Sequence, residues 1–280
     1  MKAVAGIAAS VRQYFMEGYY SPSSTGVLNS AFGFTPSGAL VKAMILASSV
    51  PVHSVYYSGT YIGTGTLTSL SAYPSNYQGF GRVQINRVLH FGPASTSPLT
   101  LSVIGDVSRS PLYQEFTGAS QSHTTTFTVD SSTNVRIVLA YTDYSSGTST
   151  SPIIQNKLSL SATDGSTTFT PYLNSISNTY YVLDIAAVPG KTYNVTVSCT
   201  SFTSGPQPYA LVMVGSITQL AAVSPVATLI DSQLNLSSIP YIDGIIVMAI
   251  VAFFLVATTV GVCVAETLAE RKIFFKMQRW

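Results

Sequence analysis

The apolar residues of this sequence recur with one period in its first part and with another in its second. Near its start, apolar side chains recur every three or four residues, the spacing of one face of an α-helix. These side chains are Val4, Ile7, Val11 and Phe15. From about Leu99 the period falls to two, which is typical of strands with one buried face. The pattern therefore predicts a helical N-terminal region followed by a β-sheet region.

The N-terminal region is expected to contain three helices, near residues 3–17, 36–49 and 82–90, with a tight turn at Gly79-Phe80-Gly81 before the third. Thr35 is the expected N-cap of the second helix, with Pro36 as its first helical residue. The first helix has small residues on several faces, so other elements should approach it closely. Because Lys2 precedes its apolar stretch, a short secretory signal is an alternative interpretation.

The second region contains at least six short strand-like runs separated by turn signals such as TDGS and PGK. This spacing predicts an antiparallel β-sandwich across 99–217. The runs are Thr125–Val129, Val135–Tyr141, Lys157–Ala162, Tyr180–Ala186, Tyr193–Cys199 and Tyr209–Val214.

Residues 244–265 contain no charged side chain and could span a bilayer as one helix. A buried core helix is the alternative. Residues 218–243 would be a connector. The tail, 266–280, has four basic and two acidic residues, which predicts a cytosolic tail and a single-pass, type I membrane protein of the cell surface or secretory pathway. The lipid bilayer is thus an expected partner.

Composition limits the partners and the kinds of site that this chain is expected to have. Only 9% of residues are charged and the net charge is +2, with no basic stripe, so a nucleic-acid partner is not expected. Cys199 and Cys263 form no disulfide framework. The spacing of His53, His90 and His123 does not suggest a metal site, and no cofactor motif occurs. The triplets that begin at Asn194 and Asn235 are candidate N-glycosylation sites.

Three segments, taken in order, resemble the end of the catalytic domain of subtilisin-like serine peptidases. They are Ala3-Val4-Ala5-Gly6, the stretch Pro36–Met44, and Gln78-Gly79-Phe80-Gly81-Arg82-Val83. Further runs resemble the β-sandwich that follows this domain in some larger relatives. They are Val135–Asp143, Asn156-Lys157-Leu158 and Gly205–Val212.

The resemblance implies a fold of three parts: an α/β remnant of a subtilisin-like catalytic domain (1–95), an antiparallel, jelly-roll-like β-sandwich (99–217) and one transmembrane helix. It also places the nucleophilic serine three residues before Met1, with the catalytic Asp, His and oxyanion-hole Asn further upstream. No catalytic residue is therefore assigned to this chain. Lys157 and Ser159 stand where relatives often have aspartate, so no ion-binding role is carried over.

The resulting functional hypothesis is the C-terminal part of a membrane-anchored subtilisin-like serine endopeptidase, inactive alone, whose intact form would cleave polypeptide substrates. Gly147-Thr148-Ser149 copies the letters of the family's nucleophile motif but is better explained as a turn. The alternatives are a non-catalytic, membrane-tethered β-sandwich that binds a partner, and a degenerate remnant without function.

Overall fold

The computed structural model describes residues 2–20, 26–57, 66–69, 73–91, 99–105, 114–146, 153–173 and 178–220. The chain divides into two compact units, Met1–Ser224 and Pro225–Trp280. All of the described residues belong to the first unit.

Two α-helices occur among these residues, α1 (Lys2–Met16) and α2 (Gly38–Ala47), as the sequence predicts. The N-cap of α2 is Ser37 rather than Thr35, because the Ser37 side chain accepts a hydrogen bond from the backbone N–H of Leu40 at 3.0 Å. Leu40 and Met44 are fully buried, whereas the first half of α1 is exposed, with Val4 at 52%.

Fifteen strands are present in the described part of the chain, and they include all six runs that the sequence predicts. They are β1 (Ser49–Val50), β2 (Ser54–Tyr57), β3 (Thr66–Ser69), β4 (Arg82–Val83), β5 (Thr100–Ile104), β6 (Glu115–Phe116), β7 (Ser122–Val129), β8 (Asn134–Ala140), β9 (Lys157–Thr163), β10 (Thr168–Phe169), β11 (Tyr180–Ala186), β12 (Thr192–Ser201), β13 (Gln207–Pro208), β14 (Ala210–Gly215) and β15 (Ile217–Leu220).

Two antiparallel sheets face each other. The covered sheet has the strand order β11-β8-β14-β5, and the open sheet has the order β10-β9-β12-β7-β15. Alternate residues of both sheets fill the core between them. Among the fully buried side chains there are Phe127, Ile137, Leu139, Val195 and Met213. The predicted antiparallel sandwich is therefore confirmed.

A second core lies on the other face of the covered sheet, where α2 packs against β8 and β14. Leu40 and Met44 of α2 belong to the same apolar cluster as Val138 and Val212 of the sheet. The segment after α1 is also tied to this sheet, because the Tyr20 hydroxyl accepts the backbone N–H of Val103 at 2.8 Å.

The predicted fold class is wrong in its N-terminal part. The described residues are mostly β-sheet with two α-helices, and α2 covers an antiparallel sheet instead of belonging to an α/β layer. The strands of this region, β1 with β4 and β2 with β3, also pair antiparallel. Val11, Leu40 and Met44 are buried in this arrangement, whereas Val4 is 52% exposed.

The helix predicted near 82–90 is also absent. The tight turn before it is confirmed: Gly81 has φ +91, and a Cβ atom there would lie 2.1 Å from the carbonyl oxygen of Val50. This close approach lets β4 pair with β1, so the chain is extended at Arg82 and Val83, and only a short 3₁₀ turn follows at Ile85–Arg87.

The membrane assignment is corrected as well. Among the described residues, no helix is long and apolar enough to cross a membrane. The structure thus does not support the predicted transmembrane helix or the single-pass, type I localisation, and both are withdrawn. The segments predicted as membrane span and cytosolic tail, 244–265 and 266–280, lie outside the described residues.

Candidate functional site

An ion pair between a buried arginine and a partly buried aspartate fixes the N-terminal region to the covered sheet. Arg136 of β8 and Asp184 of β11 are directly opposite in register on the sheet face that the helices cover. The Arg136 Nε and Nη2 atoms donate to the two Asp184 carboxylate oxygens at 2.7 and 2.6 Å. The Arg136 Nη1 atom donates to the carbonyl oxygen of Ser49 and, at 3.1 Å, to its hydroxyl. We call Ser49, Arg136 and Asp184 the helix–sheet seam.

Two tyrosines complete the surroundings of the seam. The Tyr172 hydroxyl donates to Asp184 Oδ2 at 3.1 Å, and the Tyr73 ring centroid lies 5.3 Å from the Arg136 guanidinium carbon. Burial lowers the pKa of Arg136, but its hydrogen bonds to Asp184 and the charge of that carboxylate outweigh burial and raise it. Burial and the Asp184 charge raise the pKa of Tyr172 to about 12. The Arg136 guanidinium therefore remains charged in neutral solution.

An apolar groove of about 450 Å³ lies beside the exposed half of α1. Val4, Val41 and Ile45 line it, and Lys42 and Tyr180 form part of its wall. The Lys42 Nζ atom lies 4.4 Å from the centroid of the Tyr180 ring and donates to the Thr179 hydroxyl at 3.3 Å. This groove is an open apolar surface next to the helical layer, and such surfaces often contact another protein segment.

One end of the sandwich is organised by a buried amide pair, Asn156 and Gln207, both fully buried. Asn156 Nδ2 donates to Gln207 Oε1 at 2.9 Å and to the carbonyl oxygen of Ser204 at 2.5 Å. Asn156 Oδ1 accepts the backbone N–H of Thr203 at 2.8 Å. Gln207 Nε2 donates to the carbonyl oxygen of Thr142 at 3.0 Å. This pair thereby holds three chain segments together, and we call it the amide hub.

Asp143 and Tyr144 reinforce the same end. The two Asp143 carboxylate oxygens accept the backbone N–H groups of Gln155 and Asn156 at 2.6 and 2.9 Å. The Tyr144 hydroxyl donates to the carbonyl oxygen of Pro206 at 2.9 Å. Sequence reasoning singled out the stretches at Asn156 and Gly205–Val212 separately, and the fold brings them into one hydrogen-bonded network.

The three histidines have different surroundings. His53 is exposed. His90 is 5% exposed and neither of its ring nitrogens has a hydrogen-bond partner. His123 stacks on Phe116 with ring centroids 4.4 Å apart, and its Nδ1 atom lies 3.0 Å from the Tyr209 hydroxyl. Within the described ranges, no histidine is hydrogen-bonded to a carboxylate or a serine, and no group of three potential metal ligands occurs.

The glycosylation candidates are placed differently. Asn194 is exposed on β12, where its Oδ1 atom accepts the Thr126 hydroxyl at 2.8 Å. Asn235 lies outside the described residues, as does Gly147-Thr148-Ser149. Modification at Asn194 and Asn235 stays a prediction.

Comparison with known proteins gives a limited result. No family model matches the chain. The chain is 30% identical, over 139 residues, to the "Serine protease/ABC transporter B family protein tagA" of Dictyostelium discoideum. The matched stretch comprises 49% of this chain but only 6% of that protein. Over about half of its length, this chain is therefore similar to a small part of a protein named as a serine protease.

Proposed function

We propose that this chain is a non-catalytic, C-terminal portion of a subtilisin-like serine endopeptidase. The observation that carries the proposal is the similarity to the serine protease-named protein of Dictyostelium discoideum. The motif series that ends in the Gly79-Phe80-Gly81 turn supports the finer assignment to the subtilisin-like family. The substrates of the intact enzyme would be polypeptides.

In this proposal, the role of the described residues is structural. The helix–sheet seam attaches the segment after α2 to the sandwich, and the second core buries α2 itself. The groove beside Val4 and Val41 stays available, and we propose that further parts of the protease pack there. The sandwich would then support the catalytic domain from one side and contribute no group to peptide-bond cleavage.

The chemistry of the described residues is compatible with this role. Nucleophilic catalysis requires a base within hydrogen-bond reach of the nucleophile and a third group that orients the base. Among the residues that the structure describes, no such arrangement occurs around His53, His90 or His123. Because nucleophile and base act as one unit, a serine without a positioned histidine accelerates hydrolysis little.

A fluorophosphonate probe, which labels activated serines, provides the test. The purified chain should remain unlabelled and should not cleave unstructured proteins. Antibodies raised against it should precipitate, from cells that produce it, a longer polypeptide that the probe labels at a serine outside this sequence. Precipitation of an unlabelled protein alone would contradict the proposal and favour the alternative of a non-catalytic binding protein. Labelling of a serine within this sequence would also contradict the proposal, because this chain would then contain the nucleophile.

A further inference from the structure

The helix α2 is apolar on more than the side that packs against the covered sheet. In its sequence, GALVKAMILA, Lys42 is the one polar side chain. Val41, Ile45 and Leu46 are only partly buried, and all three line the groove. A helix that is hydrophobic on all sides is normally covered on all sides. The side of α2 that faces the groove is therefore expected to receive a further layer. The residues of α2 that the second core buries are Ala39, Leu40, Ala43, Met44 and Ala47.

The groove also leaves room for another backbone to come close. Gly38, the first residue of α2, lines the groove, and a Cβ atom built there would have no heavy atom within 4 Å. Val4 of α1 lines the groove as well and is 52% exposed. A glycine beside open space permits the close approach of a second chain. A polypeptide segment that lays apolar side chains along α2 fits this surface.

Lys42 gives the groove a positive charge without a counter-charge. Its Nζ atom donates to the Thr179 hydroxyl at 3.3 Å and lies 4.4 Å from the centroid of the Tyr180 ring. Neither of the two ion pairs among the described residues includes Lys42. Burial lowers the pKa of Lys42, since the ammonium loses contact with water there and gains no carboxylate. Its remaining N–H donors are available to a partner.

A carboxylate is the group that these surroundings favour. It would accept hydrogen bonds from Lys42 Nζ and from the Thr179 hydroxyl, and it would compensate a charge that lies beside an apolar surface. We infer that the groove receives an apolar segment of the remainder of the protease, and that an Asp or Glu of this segment pairs with Lys42. The inference rests on the proposed function and names the chemistry of the part that packs there. The matched stretch is only 6% of the serine protease-named protein, so the partner is sought in the same polypeptide.

Lysine modification in the longer polypeptide tests this inference. The sample is the probe-labelled polypeptide that the antibodies precipitate, and the reference is the purified chain. Acetylation with N-acetoxysuccinimide, followed by mass spectrometry, measures the reactivity of each lysine. Lys42 should react at least about tenfold more slowly in the longer polypeptide, because a paired carboxylate raises its pKa and leaves less neutral amine. A water-soluble carbodiimide should also join Lys42 to an Asp or Glu outside this sequence.

Lys157 is the matched control, because it is a partly buried lysine on the open sheet. It should react at the same rate in both samples. Lys42→Gln should abolish the cross-link and leave the reactivity of Lys157 unchanged.

Three results would overturn the inference while the proposed function stands. They are equal acetylation of Lys42 in both samples, protection of Lys42 without a carboxylate cross-link, and a cross-link from Lys42 to a carboxylate within this sequence. If the antibodies precipitate no longer polypeptide that the probe labels, the proposed function and this inference are both refuted.

Discussion

The two sheets of the sandwich share one core but differ on their outer faces. The outer face of the covered sheet is apolar, with Val138 and Val212 fully buried beneath α2. The outer face of the open sheet bears hydroxyl and amide side chains that form three cross-strand pairs. These pairs are Thr124–Thr196, Thr126–Asn194 and Thr128–Thr192. One face therefore needs a protein layer, and the other is satisfied in water.

This difference is visible in the strand sequences. In β12, buried and more exposed residues alternate, as expected for a sheet with one solvated face. In β14, all six residues are buried, because both faces of the strand are covered. A central antiparallel strand without alternation thus indicates a second layer, and here that layer is the helical segment.

Each sheet also has one ion pair among the described residues, and the two pairs differ in the exposure of their cations. The covered face contains the Arg136–Asp184 pair, whose side chains are 8% and 18% exposed. The open sheet has the Lys191–Asp164 pair in the turns at the ends of β9 and β12, where the Lys191 side chain is 47% exposed and the Asp164 side chain 6%. A buried pair is costly to break, because the remaining ion stays desolvated without a partner. The two pairs therefore offer a direct comparison of the two sheets.

The largest effect is expected for Asp184→Ala. Loss of this carboxylate leaves the Arg136 guanidinium buried and uncompensated, which typically lowers the free energy of unfolding by about 3–5 kcal/mol. Chemical denaturation followed by circular dichroism would measure the change. The helix–sheet seam should weaken at the same time, so protease cleavage near Ser49 should become faster.

Two further variants serve as controls for this prediction. Lys191→Met removes the exposed partner of the second pair and should have a smaller effect, because Asp164 keeps its hydrogen bonds from the backbone N–H groups of Ser166 and Thr167. Replacing the whole buried pair, with Arg136→Met and Asp184→Leu together, should recover much of the lost stability. A double variant as unstable as Asp184→Ala would show that the seam depends on more than charge compensation.

A smaller effect is expected from two opposite isosteric substitutions, one on each sheet. Val138→Thr places a hydroxyl in the apolar layer beneath α2 and should cost about 1–3 kcal/mol, the penalty of a buried polar group without a partner. Thr126→Val removes one surface hydrogen bond to Asn194 and should stay within about 0.5 kcal/mol. Urea denaturation of both variants measures the difference. Equal effects would mean that the covered face is more hydrated than its burial indicates.

The strand periodicity was enough to predict the sandwich, since all six runs are strands. It was not enough to predict how the two regions combine. The apolar face of α2, with Leu40 and Met44, indicated a helix that needs a partner, and β8 and β14 offered the matching apolar face. Sequence spacing alone does not show that these distant segments meet, so the partner of α2 could not be predicted.

The helix–sheet seam and the amide hub could not be predicted from the sequence, for a related reason. Arg136 lies in the apolar run of β8, and Asp184 lies in that of β11. A lone charge of opposite sign in each of two apolar strands is a signal of a buried pair, but pairing depends on the strand register, which the sequence did not provide. The Gly79–Gly81 turn was predicted correctly because its glycines act locally. The strand after it was not predicted, because β4 depends on a partner more than thirty residues earlier.

The smallest predicted effect is a change of stability with pH, and it again compares the helical layer, through His90, with the sheets, through His123. Burial lowers the pKa of His90, and also of His123, below the ordinary value of 6.5. Above that value both histidines are neutral in the folded and unfolded states, so their protonation does not lower the free energy of unfolding. Below it the unfolded chain takes up protons that the folded chain does not accept, and stability falls as the pH falls towards the lowered pKa values.

The melting temperature should therefore be lower at about pH 5.5 than at about pH 7.5. His90→Leu should reduce this pH dependence, and at neutral pH it should leave stability unchanged or higher, because it removes two buried nitrogen atoms that have no partner. His53→Leu is the control for the loss of an imidazole from an exposed position. The Asp164 carboxylate does not titrate between these two pH values, because its hydrogen bond to Lys191 holds its pKa far below them. A pH dependence that persists unchanged in His90→Leu would assign the acid sensitivity to His123, at the edge of the sheets, instead of to the helical layer.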